Sequence, residues 1–166
     1  QRRLFFALWP SDRQREQLRD ALRPVLTQVE GDATDRRNWH VTLVFIGGFP
    51  EEQVPFLQSA AAEVERETIR LRFDRVTFWQ RQKIACLQPL TVPPALGQLH
   101  ASLTKVLAAF DVEPEERAYR PHITLARRAR AFDDLVLMRA IDLEWNDFEL
   151  VESVPIPGGV SYRPLL

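Results

Sequence analysis

Hydrophobic residues follow a helical spacing in three stretches of the chain and form short apolar or alternating runs elsewhere. Apolar positions three and four residues apart are typical of a helix with one buried face. Short apolar runs bounded by turn residues, and alternation of apolar with polar residues, are typical of strands. The pattern predicts three helices, over residues 12–28, 50–64 and 93–110. It predicts seven strands, over residues 4–8, 41–46, 71–79, 84–87, 123–126, 142–153 and 159–165.

The order of the predicted elements repeats along the chain. Residues 4–42 and residues 84–124 both run strand, helix, strand. This coarse repeat predicts two similar lobes related by a pseudo-twofold axis, with the last strand of each repeat facing one shared cleft. The length of 166 residues suits one domain, so we interpret residues 1–166 as a single two-lobed domain. Ser11 is the predicted N-cap of the first helix, and Pro24 predicts a break or kink within it.

The final strand of each repeat begins with one shared pattern, a histidine, a β-branched residue, a threonine and a leucine. The two copies are His40-Val41-Thr42-Leu43 and His122-Ile123-Thr124-Leu125. In a strand, side chains two residues apart point to the same face, so each histidine shares a face with its threonine. Two facing strands would bring two imidazoles and two hydroxyls to one surface. Threonine is a common strand residue and a lone histidine is usually structural, but two of only three histidines occur in this pattern.

Composition and charge narrow the protein class. The hydrophobic share of 45% excludes a disordered chain, and the net charge of −1 provides no bulk attraction to nucleic acid or membranes. Only Lys83 and Lys105 among the 22 basic residues are not arginine, and arginine is the better bidentate phosphate ligand. Cys86 is the single cysteine, so no intrachain disulfide forms and a reducing cytoplasm is expected. No apolar run is long enough to span a membrane, and a monomer is expected.

Two pairs of histidine and threonine are suited to acid–base chemistry at a charged centre. Imidazole, with an ordinary pKa of about 6.5, can act as a base in one copy and as an acid in the other. Hydroxyl groups and a nearby arginine can bind phosphate oxygens, so the set suits in-line displacement at phosphorus. Zinc is the competing interpretation, but catalytic zinc normally has three protein ligands and neither copy contains a cysteine or carboxylate. We therefore expect no metal and no cofactor.

The chain resembles the two-histidine phosphoesterases, and among them the RNA 2′,3′-cyclic phosphodiesterases, also called 2′-5′ RNA ligases. The similarity extends over nearly the whole sequence. Three segments carry it: Arg3-Leu4-Phe5-Phe6-Ala7-Leu8, the stretch from Asn38-Trp39 through the first histidine pattern to Gly47, and Arg120-Pro121 with the second pattern up to Arg127. Trp39 departs from the smaller apolar residue expected there.

This resemblance implies an α+β fold in which two mostly antiparallel sheets surround a central cleft and the helices lie outside. It implies metal-free opening of a 2′,3′-cyclic phosphate to a 2′-phosphate, with RNA ends or nucleotides as substrate. His40 and His122 are then the acid–base pair, whereas Thr42, Thr124 and Arg127 bind the phosphate. The resemblance further assigns His122 to the attacking water and His40 to the leaving 3′ oxygen.

An aromatic base contact is also expected near the start of the chain. Phe5 and Phe6 alternate faces, so one of them can stack a base while the other fills the core, and we assign the base contact to Phe6. Two alternatives remain open at this point. One is a phosphodiesterase that acts on another cyclic or 2′-5′-linked nucleotide, and the other is a nucleotide-binding module without catalysis.

Overall fold

The computed structural model describes residues 1–165, which form nine strands and three α-helices. The strands are β1 (Arg2–Leu8), β2 (Asp32–Ala33), β3 (Val41–Phe49), β4 (Ile69–Trp79), β5 (Ile84–Leu87), β6 (Ile123–Arg127), β7 (Leu135–Trp145), β8 (Glu149–Ile156) and β9 (Gly159–Pro164). The helices are α1 (Asp12–Leu26), α2 (Val54–Ala62) and α3 (Pro94–Ala108).

The strands form two antiparallel sheets, as the resemblance implied. One has the strand order β3-β1-β8-β9 and the other β2-β6-β5-β4-β7. Each motif strand pairs with the first strand of its own repeat: β3 with β1, and β6 with β5. The helices cross over, because α1 packs on β7 of the second sheet and α3 packs on β3 of the first. The predicted repeat is therefore present in the fold.

Helix α1 begins and packs as its sequence predicts. The Ser11 hydroxyl accepts a hydrogen bond from the Gln14 backbone N–H at 3.1 Å, and the Gln14 side chain accepts one from the Ser11 N–H at 2.9 Å. This capping box satisfies two N–H groups at the helix start. The predicted break at Pro24 is wrong, because the helix continues to Leu26, and proline removes only the hydrogen bond of its own missing N–H to the carbonyl four residues earlier.

Two parts of the strand prediction differ from the structure by more than two residues. Strand β3 does not stop at Ile46 but continues through two glycines to Phe49, where Gly47 adopts a φ of +84° next to a shift in the pairing with β1. Glycine tolerates this left-handed conformation, so the glycines bend the strand instead of ending it. The single strand predicted over residues 142–153 is two strands, because β7 begins at Leu135 and a turn separates it from β8.

Both sheets contribute to one main hydrophobic core. Its fully buried members come from strands of both sheets and from all three helices. Representative side chains with no or almost no solvent exposure are Leu4, Leu18, Leu43, Leu57, Phe73, Leu103 and Ile123. The two lobes are thus packed into each other, which fixes the distance between the motif strands.

Candidate active site

The two motif strands line a common cleft between the sheets. Its volume is about 950 Å³, which falls within the range of small-molecule and cofactor sites. Five of the six predicted site residues contribute to its lining: His40, Thr42, His122, Thr124 and Arg127. The two histidine–threonine pairs therefore converge on one surface, although they lie in different sheets.

The backbone and Thr42 fix the orientation of the His40 ring. Its Nδ1 atom lies 2.7 Å from the backbone oxygen of Asn38, and its Nε2 atom lies 2.8 Å from Oγ1 of Thr42. A carbonyl oxygen only accepts hydrogen bonds, so Nδ1 carries the hydrogen in the neutral ring. The Thr42 hydroxyl then donates to Nε2, which is the basic nitrogen.

The His122 ring is held in the same way. Its Nδ1 atom lies 2.8 Å from the backbone oxygen of Arg120, two residues earlier, just as Asn38 precedes His40 by two residues. Nδ1 again donates, which leaves Nε2 as the basic nitrogen, and this atom has no hydrogen-bond partner within residues 1–165. Both rings thus present the same nitrogen for proton transfer.

Aromatic rings surround both imidazoles. The His40 ring centroid lies 4.8 Å from that of Phe5, 5.9 Å from that of Trp9 and 5.2 Å from that of Tyr162. The His122 ring lies 4.4 Å from Trp79. These contacts exclude water from the ring faces and limit rotation of the imidazoles.

Each tryptophan at the site also contacts an arginine. The guanidinium of Arg15 lies 4.6 Å from the Trp9 ring centroid, and that of Arg120 lies 3.9 Å from the Trp79 ring centroid. Arg15 is buried and donates hydrogen bonds to the backbone oxygens of Arg36 and Trp39, at 2.6 and 2.7 Å. At both copies of the pattern, an arginine therefore contacts a tryptophan, and that tryptophan contacts the histidine.

These surroundings keep both histidines neutral in the free protein. Burial lowers the pKa of His40 to about 4, although the hydrogen bond to the Asn38 carbonyl opposes the change, and the positive charges of Arg15 and Arg127 add to the lowering, as would protonation of His122. Burial likewise lowers the pKa of His122, as do Arg120 and Arg127, although the hydrogen bond to the Arg120 carbonyl opposes the change. A low pKa means that protonation of either ring requires a nearby anion at neutral pH.

Arg127 supplies a free positive charge to the cleft. It is exposed and has no carboxylate partner within residues 1–165, whereas Arg128 pairs with Asp32. Gly31 makes this arrangement possible, because a Cβ atom there would lie 2.9 Å from both Ala129 Cα and the Arg127 carbonyl oxygen. Short strand β2 can therefore pair with β6 beside Arg127.

Comparison with known proteins identifies the family. The family model described as the 2′-5′ RNA ligase superfamily matches residues 9–151, most of the chain. The protein belongs to this superfamily. The match includes both histidine patterns and all strands of the second sheet, and it agrees with the resemblance seen in the sequence.

Relatives of this superfamily member have one recurrent name. The present chain is 28% identical over 167 residues to an Escherichia coli RNA 2′,3′-cyclic phosphodiesterase, covering 98% of this chain and 93% of the relative. An Archaeoglobus fulgidus protein of the same name is 23% identical over 98% of this chain and 97% of its own. The crystal structure of E. coli LigT complexed with 3′-AMP superposes with a TM-score of 0.89 at 27% identity, covering 99% of this chain and 95% of that one.

The predicted base contact of this superfamily member requires a correction. Phe6 has no solvent exposure and packs against Phe148 in the main core, with ring centroids 5.7 Å apart. Phe5, on the opposite face of β1, lines the cleft and contacts His40. The alternation was expected, but the sequence did not show which face of β1 points to the cleft, since both neighbours are phenylalanine.

Sequence reasoning also missed how a distant hairpin completes the site. Asn38 donates from Nδ2 to the Val160 backbone oxygen at 2.9 Å, and its Oδ1 accepts from the Tyr162 backbone N–H at 3.2 Å. Strands β8 and β9 thereby place Tyr162 against His40. The only signal in the sequence is the polar side chain of Asn38 directly before the first pattern, since an amide can bind backbone groups of another segment, and nothing local identifies that segment.

Two further observations concern metal binding and membrane-spanning helices. No group of three or more histidine, cysteine or acidic side chains within residues 1–165 is placed to hold a metal ion. In the same part of the chain, no helix is long and apolar enough to cross a membrane.

Proposed function

We propose that this protein hydrolyses the 2′,3′-cyclic phosphate of RNA ends or nucleotides to a 2′-phosphate. One observation carries the proposal: two imidazoles on opposite sheets share one cleft, and each is fixed through Nδ1 so that Nε2 is the reactive atom. Four relatives named RNA 2′,3′-cyclic phosphodiesterase support this substrate. Solved structures of E. coli LigT with 3′-AMP and with phosphate also support it.

In the proposed reaction, water attacks phosphorus and the bond from phosphorus to the 3′ oxygen breaks. Nε2 of His122 accepts a proton from the water, and Nε2 of His40 donates a proton to the departing 3′ oxygen. The products are a 2′-phosphate and a free 3′-hydroxyl, and proton exchange with solvent restores both rings. A 5′-hydroxyl of RNA in place of water would leave a 2′-5′ linkage, so the same groups can support ligation.

The proposed phosphate ligands are Thr42, Thr124 and Arg127. Hydroxyl donors and a guanidinium stabilise the charge that grows on the non-bridging oxygens during displacement. Thr42 already hydrogen-bonds to His40 in the free protein, so substrate binding exchanges that bond for one to a phosphate oxygen. Arg127 is suited to the role because it has no carboxylate partner in residues 1–165.

Substrate charge would supply the proton that the free site lacks. Both histidines have a lowered pKa in the free protein. A phosphate anion between the rings favours the imidazolium form and raises that pKa. The acid is therefore charged mainly when substrate is bound. The intact hydrogen-bonded rings favour an enzyme over a binding module without catalysis.

Turnover of 2′,3′-cyclic AMP tests the proposal. We expect 2′-AMP as the product, and loss of most activity in both His40→Ala and His122→Ala. A substrate with a nitrophenolate leaving group needs no acid, so it should restore turnover in His40→Ala but not in His122→Ala. Restoration in His122→Ala alone would reverse the roles, whereas absence of turnover in the unmodified protein would contradict the function.

A further inference from the structure

One arginine in the cleft has neither a role in the proposed reaction nor a carboxylate partner within residues 1–165. The cleft lining contains Arg3, Arg127 and Arg128, and Arg128 forms an ion pair with Asp32. Arg127 is the proposed ligand of the cyclic phosphate. Arg3 is exposed and has no carboxylate partner among residues 1–165, so it provides a second position for an anion.

An exposed aromatic ring lies beside this arginine. Phe45 remains 49% exposed, and its ring centroid lies 5.7 Å from the guanidinium carbon of Arg3. It belongs to the same strand as Thr42, and the pairing with β1 shifts by one residue between Thr42 and Val44. This bulge interrupts the alternation of faces, so that Thr42 and Phe45 both line the cleft.

We propose that Arg3 and Phe45 form a subsite for the nucleotide that precedes the cyclic end of an RNA chain. Single-stranded RNA is commonly bound by stacking a base on an aromatic ring while a cation pairs with the backbone. A base would stack on Phe45, and the phosphodiester that joins the last two nucleotides would pair with Arg3. This inference rests on the proposed function and specifies RNA ends as preferred over free cyclic nucleotides.

The test compares 2′,3′-cyclic AMP with a dinucleotide that ends in a 2′,3′-cyclic phosphate. We expect Arg3→Gln and Phe45→Ala each to lower kcat/KM for the dinucleotide about five- to tenfold, the lower range for loss of one base stack. Turnover of the mononucleotide should change less than about twofold, since it does not reach the subsite. Phe56→Ala and Arg139→Gln are matched controls, because both side chains are exposed but lie outside the cleft lining.

Equal losses on both substrates, or no loss on either, would overturn the subsite. Failure of the unmodified protein to hydrolyse either substrate would contradict the proposed function instead. In that case the dissociation constants of 2′-AMP and of a dinucleotide ending in a 2′-phosphate give the same comparison. Equal affinity for the two in the unmodified protein would also overturn the subsite.

A second, independent observation concerns His100 and Tyr119. Their rings stack with centroids 4.1 Å apart and planes within 6°. Nδ1 of His100 donates to the Leu43 backbone oxygen at 2.8 Å, and the Tyr119 hydroxyl donates to the Thr42 backbone oxygen at 2.8 Å. Burial raises the pKa of the Tyr119 phenol, which keeps it protonated as a donor.

These two bonds connect the two halves of the site. Strand β3 is at the edge of its sheet and its pairing with β1 is irregular at Leu43, so its outer carbonyl groups need partners other than a strand. Tyr119 immediately precedes Arg120, whose carbonyl oxygen orients His122. The Tyr119 hydroxyl therefore connects the segment that precedes His122 to the backbone of Thr42 in the first motif.

We infer that His100 and Tyr119 are positioning residues that fix the first motif relative to the second. Tyr119→Phe should lower kcat for 2′,3′-cyclic AMP about tenfold, since small misplacement of reacting groups is costly, and should change KM much less. His100→Asn keeps a donor near the Nδ1 position and should retain more activity than His100→Ala. Thr68→Val is the control, because it removes a side-chain hydrogen bond to Asn146 outside the cleft.

Two results would overturn this positioning role. One is a kcat of Tyr119→Phe within about twofold of the unmodified protein, and the other is equal activity of His100→Asn and His100→Ala. The imidazole NMR signals of His40 give a readout that does not depend on turnover. They should change in Tyr119→Phe but not in Thr68→Val, and unchanged signals in both would also contradict the inference.

Discussion

At the scale of single residues, the backbone determines which nitrogen of each histidine reacts. Asn38 and Arg120 each present a carbonyl oxygen to Nδ1 two residues later, and this contact selects the tautomer. The repeat of His-x-Thr-Leu predicted the pairing of side chains on one face. It could not predict the carbonyl contacts, because they depend on the backbone path before each strand.

The pH dependence follows from the lowered pKa values of His40 and His122. The dependence of kcat/KM on pH reports the protonation of the free protein. In the productive form, one of the two rings carries a proton and the other is neutral. Since the pKa of His40 is about 4 and that of His122 is also lowered, this form becomes scarcer as the pH rises above 6.5. We expect kcat/KM to fall from pH 6.5 to 8.

The profile of kcat should be displaced to higher pH, because the bound phosphate anion raises the pKa of both rings. Initial rates across pH 4 to 9, at low and saturating substrate, measure both profiles. Two imidazoles with the ordinary pKa of about 6.5 would give a profile centred near neutrality, and burial of the rings displaces it to lower pH. A kcat/KM that is constant or rises between pH 6.5 and 8 would contradict the shift.

The phosphate ligands provide a separate prediction at this scale. Thr42→Ala, Thr124→Ala and Arg127→Ala should each lower kcat/KM by roughly 10- to 1,000-fold, as expected when one donor to a developing oxyanion is removed. The fold should persist, because these side chains are partly exposed. Arg130→Ala is the control, since that arginine pairs with Glu30 and lies outside the cleft lining. Near-normal activity of Arg127→Ala would exclude its proposed role.

At the scale of elements, the close approach of β2 to β6 depends on Gly31. A Cβ atom there would lie 2.9 Å from backbone atoms of Ala129 and Arg127, which cannot move aside as a flexible side chain can. We expect Gly31→Ala to destabilise the protein by about 1–3 kcal/mol, the usual cost of overpacking, and to lower activity by displacing Arg127. Thermal denaturation and turnover of 2′,3′-cyclic AMP measure the two effects.

Gly97→Ala is the matched control for this prediction. Gly97 lies inside α3, and a Cβ atom there has no neighbour within 4 Å. Alanine is the better helix former by about 1 kcal/mol, so this variant should be as stable as the unmodified protein or more stable. Equal behaviour of Gly31→Ala and Gly97→Ala would show that the contact between β2 and β6 does not constrain the site.

Elements were predictable from sequence where one periodicity or cap dominated. The Ser11 N-cap and the apolar stripe of α1 placed that helix well, and β4 and β5 lie close to their predicted bounds and pair with each other. Boundaries failed where tertiary pairing overrode local punctuation, as at Gly47 in β3. Strand β2 was not predicted, because it has only two residues, lies in a polar loop and is defined by its pairing with β6.

At the scale of the whole molecule, the exchange of helices between sheets holds the cleft together. Helix α1 follows β1 of the first sheet but packs on β7 of the second, and α3 follows β5 but packs on β3. One shared core therefore links both motif strands. The sequence repeat indicated two lobes, but the order of strands within each sheet depends on long-range pairing that local patterns do not encode.

Metal independence is a prediction for the whole protein that remains to be tested. Catalytic zinc sites normally use three protein ligands, and within residues 1–165 no group of three histidine, cysteine or acidic side chains is placed to hold a metal ion. The proposed roles of His40 and His122 also require both Nε2 atoms to exchange protons, which a bound metal would prevent. We expect turnover of 2′,3′-cyclic AMP to survive dialysis against EDTA with a change of less than about twofold, the effect of a mere buffer change on a reaction without a metal. Added zinc should inhibit, because it competes with protons for the two imidazoles. Loss of activity in EDTA that zinc or manganese restores would instead assign the histidines to metal binding.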